Sequence, residues 1–492
     1  MTPTTSSEPS FTAADYIEYL RCPRTAHLRL TGEWPNEPVT FPVPSDRDEV
    51  RAHAVAHLRF PQGASFDRWF ADAPFIAHAD VWHRQKPEGF ASVLIREASS
   101  LKQAYLIESM FIRMCAGASG ELPARQFVYH LDKHYEHSPD RNPATLYIAA
   151  DVTRRSRIML REHEKRLGEL RDQLAADPFL EAYRNRPCDR AHSCPVCSLG
   201  RPEVPDWHIT TLYRGGELVS TLAEQGYNNI VHVPEDLLPH PRQRIQQRTL
   251  ATGEPHVDSD GLEGFIDGLV YPLHYLDFEA VSSAIPRHPG TRPWEHVPYL
   301  FSVHTEPAPG ASLDHHALAM KPGKDERRQL IDALVGALSG PGGVVVYGAP
   351  FESGVLARLA RDFPERAEEI EDIRSRIVDL LTPFKEFLYY DSRQRGRASL
   401  KTVLRVFSED IYHGLPVRDG YHANIAFRYL ERLADGGPGA ASAGQPEGAS
   451  GWFGLEPGKI VDALVQYCTM DTLAMVKIVA TLREIAGASR PA

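Results

Sequence analysis

The sequence predicts an α/β protein of at least two domains, and three observations carry that prediction. Short apolar and β-branched runs, such as Val344-Val345-Val346 and the stretch 269–276, alternate with segments whose apolar residues recur at helical period, as over 460–476. The chain has 492 residues, more than one hydrophobic core ordinarily supports. Its composition, 42% hydrophobic and 24% charged, is that of a globular chain and excludes a disordered or fibrous one.

In the second half, the apolar stretch 269–276 leads directly into Asp277-Phe278-Glu279. Residues i and i+2 of a strand share a face, so Asp277 and Glu279 present two carboxylates side by side with Phe278 packed behind them. An edge strand with solvated acids would carry the same tripeptide. Next, Val344 to Val346 reads as a strand that turns at Gly348, after which Phe351 and Glu352 open a helix. Arg376 to Leu380 is a further β-branched stretch, whose Asp379 would either replace or supplement Glu352 at a metal, or cap the strand. Arg393, Arg395, Arg397 and Lys401 surround the turn before Ser399 to Leu404, and they read as solvated charges, like Arg242, Arg244 and Arg248. The stretch 435–451, rich in Gly, Ala, Ser and Pro, reads as a flexible surface insertion. Finally, the helix over 460–476 places Tyr467 and Asp471 four apart, on one face.

The order D-x-E on a strand, an aromatic-acid pair after a later strand, and Y-x-x-x-D on a C-terminal helix resembles the signature of the DnaQ-like 3′-5′ exonucleases of the DEDD tyrosine subtype. That resemblance covers roughly residues 270 to 485 and implies a ribonuclease-H-like fold over 266–488. It also implies Asp277, Glu279, Glu352 and Asp471 as ligands of two Mg2+ or Mn2+ ions, and Tyr467 as the residue that orients the attacking water. Carboxylates are the ligands such hard cations select, and two ions serve phosphodiester hydrolysis by activating water and stabilising the leaving oxygen. One position departs from the pattern, because the family usually has Asp where this chain has Glu352.

The first half carries its own pattern. Cys188, Cys194 and Cys197 cluster after a long charged helix near 153–174, while Cys22 stands alone near the N-terminus. In a reducing compartment, clustered thiols suggest a metal site more than disulfides, with His192 available to replace one ligand of a zinc site. Cys115 and Cys468 fall in apolar helical patterns and read as packing residues. One early and three late cysteines resemble the iron-sulfur staple of RecB-type nucleases, which implies a 4Fe-4S cluster on Cys22, Cys188, Cys194 and Cys197, with Zn2+ as the alternative.

Between those cysteines the chain resembles a RecB-type, restriction-endonuclease-like (PD-(D/E)xK) domain over 11–200. Residues 49–57 match its early helix, 77–81 the strand bearing the first acid, Asp80, and 92–100 the next strand. That last strand has Arg96, Glu97 and Ala98 where the family has an acid, an apolar residue and a lysine. Glu97 and Lys102 would rescue those roles only through a register shift that turns Glu97 to the other face. Ile112 stands where a glutamine is expected, and Asp80 with His53 or His57 is the remaining trace of a site. The domain therefore reads as a degenerate nuclease. The whole arrangement, with a connecting module over 206–265 and with Pro286, Gly290, Thr291, Arg292 and Pro293 after the D-x-E motif, resembles an uncharacterised bacterial family, domain of unknown function 2779.

No run approaches the roughly 18 apolar residues of a membrane span, and the N-terminus lacks the basic and apolar regions of a signal peptide, so a cytoplasmic protein without membrane association is expected. A net charge of -11 argues against a nucleic-acid coat protein, whose affinity rests on basic surface, but not against a nuclease whose acids are neutralised by metal. Two functions follow as expectations. One is a metal-dependent 3′-5′ exonuclease acting on DNA or RNA. The other is a nucleic-acid-binding or complex-assembly protein in which both nuclease folds have decayed.

Overall fold

In a computed structural model of the chain, the structure describes residues 10–33, 45–85, 89–184, 205–408, 411–436 and 451–489. The chain divides into two compact units. The first comprises Met1–Pro38, Pro44–Gly200 and Ser282–Glu295; the second comprises Val39–Val43, Arg201–Val281 and His296–Ala492. Both are α/β with mixed sheets.

In the first unit, β1 (Ser65–Asp72), β2 (Phe75–Gln85), β3 (Gly89–Ile95), β4 (Pro123–Leu131) and β5 (Tyr147–Asp151) form one sheet in sequence order. All neighbours are antiparallel except β3 and β4, which run parallel. A parallel pair needs a crossover, and the helix Gln103–Ala118 supplies it. That helix buries Ile107, Met110, Phe111 and Cys115, so its apolar stripe lies on the sheet. Ile112 is buried in the same core. The strand expected over 92–100 ends at Ile95. There the Arg96 side chain turns inward to two carboxylates and the chain bends through Ser99 and Ser100.

The segment Ser282–Glu295, which links two strands of the second unit, folds with the first. Ala284 is fully buried there, Ile285 and Trp294 pack on the same core, and the Trp294 indole Nε1 donates to the Glu97 carbonyl at 2.8 Å. Gly290 and Thr291 exchange backbone hydrogen bonds with His137.

In the second unit, β6 (His256–Val257) pairs with β12 (Tyr389–Tyr390). The main sheet holds β7 (Leu273–Ser282), β8 (His296–Glu306), β9 (Asp314–Ala319), β10 (Gly343–Val346) and β11 (Ile377–Asp379) in the order β11-β10-β7-β8-β9. β10 runs parallel to both β7 and β11, whereas β8 and β9 are antiparallel. β7 is therefore the central strand, and its residues 273–276 are all buried, as a strand covered on both faces requires.

The C-terminal helix Pro457–Ser489 packs against β8, and its Leu464, Cys468, Met475 and Ile478 are buried in the core of the unit. By length and composition its stretch Pro457–Gly487 is apolar enough to cross a membrane, contrary to the reading that no run comes close. More than half of the apolar window is buried inside the unit, which gives those side chains a use as core. The insertion over 437–450 lies outside the described residues.

Candidate active site

Asp277 and Glu279 project from one face of β7, while Phe278 between them is buried on the other. Asp471, from the middle of the C-terminal helix, completes the group, and carboxylate oxygens of the three lie within 4.8 Å of one another. Among the described residues these three are the cluster of side chains able to hold a metal ion. The spacing of Tyr467 and Asp471 brings the phenol and the carboxyl to the same helix face, where the phenol favours the ionised carboxyl.

Gathering these acids in a buried place is unfavourable unless protons or a cation share the charge. Burial, then Asp471, Glu279 and Glu352, raise the Asp277 carboxyl well above its ordinary range. Burial and Asp471 do the same to Glu279, with Lys401 opposing. Asp471 is raised by burial, against hydrogen bonds from Tyr412 and Tyr467 and the charge of Lys401. The Tyr412 hydroxyl donates to Asp471 Oδ1 at 2.6 Å, and Cys468 Sγ donates to Asp277 Oδ2 at 3.1 Å. Burial and the surrounding acids push the Tyr467 phenol upward as well, so it stays protonated and able to donate.

Glu352 sits in the first turn of the helix Pro350–Asp362, 3% exposed. It gets there because β10 ends in a turn at Gly348, whose φ of +99° favours glycine, and Pro350 then starts the helix. Burial, with Asp379 adding to it, pushes the carboxyl up to about 8. Its Oε2 is buried without a hydrogen-bond partner. Asp379 is committed elsewhere, since its Oδ1 accepts the backbone N–H groups of Gly348 at 2.9 Å and Leu381 at 3.0 Å. It is a cap at the strand end, and Glu352 is the acid with an oxygen to offer.

An all-oxygen donor set with raised acids and one orphaned carboxylate oxygen fits a hard divalent cation. The chain therefore has a partly buried carboxylate cluster capable of coordinating a metal ion.

Two site residues were not legible as such. Lys401, read as a solvated charge, is half-buried, with Nζ donating to the Tyr467 hydroxyl at 3.2 Å and to the Arg418 carbonyl. One signal was present. Lys401 lies in the first turn of the helix Leu400–Phe407, where a cation opposes the helix dipole and needs nearby acids to be tolerated. Tyr412 left no comparable mark. Cys468 is buried packing, as expected, but it also bonds an acid.

In the first unit, Asp80 and Glu108 lie on either side of Arg96, which is 1% exposed. Its Nη1 donates to Asp80 Oδ2 at 2.5 Å and its Nη2 to Glu108. Burial would weaken the guanidinium's charge, but Glu108 and Asp80 more than offset that. Arg51 approaches Asp80 Oδ1 at 3.4 Å from another side. His53 bonds Tyr147 rather than Asp80, and its ring lies 4.4 Å from that of His57. Cys22 lies at the junction of the helices Ala13–Arg21 and Pro23–Leu30, half-buried. Cys188, Cys194, Cys197 and His192 lie outside the described residues.

Residues 274–399 match the model of a family described as a domain of unknown function, DUF2779. The matched stretch contains Asp277, Glu279, Glu352 and Asp379, and it ends before Lys401, Tyr467 and Asp471. No curated protein and no solved structure matches the chain.

Proposed function

We propose that the second unit is a metal-dependent 3′-5′ exonuclease that hydrolyses phosphodiester bonds of DNA or RNA. The observation that carries this reading is the convergence of Asp277 and Glu279, from a central strand, with Tyr467 and Asp471, nearly 200 positions later, in the arrangement the tyrosine-subtype signature requires. A central acidic strand flanked by β8 and β10 supports a ribonuclease-H-like fold for this unit. Asp277, Glu279 and Asp471 would hold Mg2+ or Mn2+, with Glu352 as fourth ligand of a pair of ions. Such ions, when bound, activate water and stabilise the leaving oxygen. The chain's own groups do the rest. Tyr467, kept protonated by burial, donates a hydrogen bond into the cluster; Tyr412 and Cys468 fix the orientation of Asp471 and Asp277.

For the first unit we propose a restriction-endonuclease-like domain that has lost its chemistry. The Arg96 guanidinium between Asp80 and Glu108 supports that reading, because a fixed cation bonded to both carboxylates competes with any metal ion there. A nucleic-acid-binding or assembly role for this unit belongs to the same proposal. A 4Fe-4S cluster, or Zn2+, on Cys22, Cys188, Cys194 and Cys197 belongs to this proposal, as does a cytoplasmic location.

The test is degradation of end-labelled single-stranded DNA and RNA with Mg2+ or Mn2+ and a chelator control, alongside calorimetric titration of Mn2+ and measurement of iron and zinc in anaerobically purified protein. Loss of one ligand by Asp277→Asn or Asp471→Asn should lower turnover about a hundredfold or more with the melting curve retained. A wild type that binds no manganese and degrades neither polymer would sink the exonuclease reading, and protein free of iron and zinc would remove the cluster.

A further inference from the structure

Lys401 reaches the site from a helix that has no part in the D-x-E or Y-x-x-x-D motifs. Its ammonium lies 4.6 Å from the ring centroid of Tyr467 and 4.7 Å from that of Tyr412, beside both rings, whose centroids are 6.2 Å apart. Nζ donates to the Tyr467 hydroxyl at 3.2 Å and is tied down by the Arg418 carbonyl. Tyr412 in turn donates to Asp471 Oδ1 at 2.6 Å, and the Tyr467 phenol, one helix turn from Asp471, favours the same carboxylate.

The direction of these bonds follows from the chemistry of the groups. An ammonium has three donors and no acceptor, so in its contact with Lys401 the Tyr467 oxygen can only accept. That leaves the phenol's single proton free to point the other way, into the acid cluster. With no donor at the back, the O–H group loses that constraint and rotates freely about its C–O bond. The ammonium also faces Asp471, Asp419 and Glu279, and Arg405 on its own helix; burial lowers its pKa from the ordinary value, and the three acids favour its charge.

We propose that Lys401 is a positioning residue of the active site, setting the direction in which Tyr467 donates its proton by occupying the phenol oxygen from behind. This rests on the exonuclease reading and adds to it a residue outside the signature motifs. The two tyrosine rings beside the ammonium and the Arg418 carbonyl hold the head group in place.

The experiment is a double-variant cycle on Lys401→Met and Tyr467→Phe, using the full-length protein, Mn2+ and the p-nitrophenyl ester of thymidine 5′-monophosphate as substrate. If Lys401 acts through Tyr467, each single variant lowers kcat about tenfold to a hundredfold with KM nearly unchanged. The double variant is then no slower than the worse single variant, and Lys401→Arg recovers part of the rate. Multiplicative losses, an unchanged kcat in Lys401→Met, or a change in KM alone would overturn the proposal. A merely structural lysine would lower the melting temperature without this non-additivity. Should the wild type hydrolyse nothing, the exonuclease reading falls, and the pairing itself is decided separately by the 19F resonance of 3-fluorotyrosine at position 467. That resonance should move in Lys401→Met, and an unmoved signal refutes the contact.

Discussion

A carboxyl buried without a partner for one oxygen keeps its proton, and Glu352 keeps its own up to about pH 8, chiefly through burial and secondarily through Asp379. Its ordinary value is 4.5, so between about 4.5 and 8 the folded chain binds a proton that the unfolded chain has released. The stability this gives is complete below the unfolded value and is lost as pH rises through the folded one, at a slope of up to about 1.4 kcal/mol per pH unit for one group. Asp277, Glu279 and Asp471 shift in the same direction. We therefore expect chemical denaturation of the metal-free protein to show stability falling from pH 5 to pH 8, with a shallower slope in Glu352→Gln. Saturating Mn2+ should reverse the trend, since binding to ionised carboxylates strengthens as their protons leave. A flat profile in both conditions would contradict the buried-acid picture. At this scale the acids were legible because each relation is local: two residues apart on a strand, four apart on a helix. Lys401 and Tyr412 were not, because no period links positions 401, 412 and 467 and only the tertiary fold brings them together.

The C-terminal helix must hold Asp471 and Tyr467 to β7, and a second contact about three turns further on fixes its far end. Glu306, at the end of β8 and 4% exposed, accepts from Arg483 through both oxygens at 3.1 and 3.0 Å, from Tyr275 at 2.8 Å and from the Gly310 N–H at 2.7 Å. The Arg483 guanidinium also lies 4.9 Å over the Tyr271 ring. Removing one partner leaves the other's charge buried and unpaired, so Arg483→Met should cost about 3–5 kcal/mol in a denaturant titration. The double change Arg483→Met with Glu306→Gln should restore much of that. Equal losses in single and double variants would show that the pair is not the source. Nothing in the sequence announced this contact, since an arginine near the end of a helix and a glutamate after a strand are ordinary surface residues in isolation. The strands themselves were easier to read. β7 and β10 are continuous apolar runs, as central strands should be, whereas β3 was read too long because the pattern 92–100 stays strand-like past the point where Arg96 turns inward.

For the whole molecule, length and the switch of motifs predict at least two domains, and the chain divides into two compact units along a path those signals do not trace. The link between β7 and β8, read as part of the second half, returns to the first unit with Ala284, Ile285 and Trp294 in its core. Trp294→Ala should destabilise the first unit by about 2–4 kcal/mol, since it removes partly buried aromatic surface and the bond to the Glu97 carbonyl. Amide hydrogen exchange is the suitable probe, with faster exchange expected in β3 and β4, and unchanged protection there would count against the packing role. The same path has a consequence for synthesis. A growing chain leaves the ribosome from its N-terminus, and domains ordinarily fold in that order. Here the first unit lacks its last buried residues until position 295 has emerged, by which time β7 and its two acids have already been translated. The smaller of the first unit's two apolar clusters among the described residues is therefore completed by a piece that arrives nearly a hundred residues after the end of its main segment.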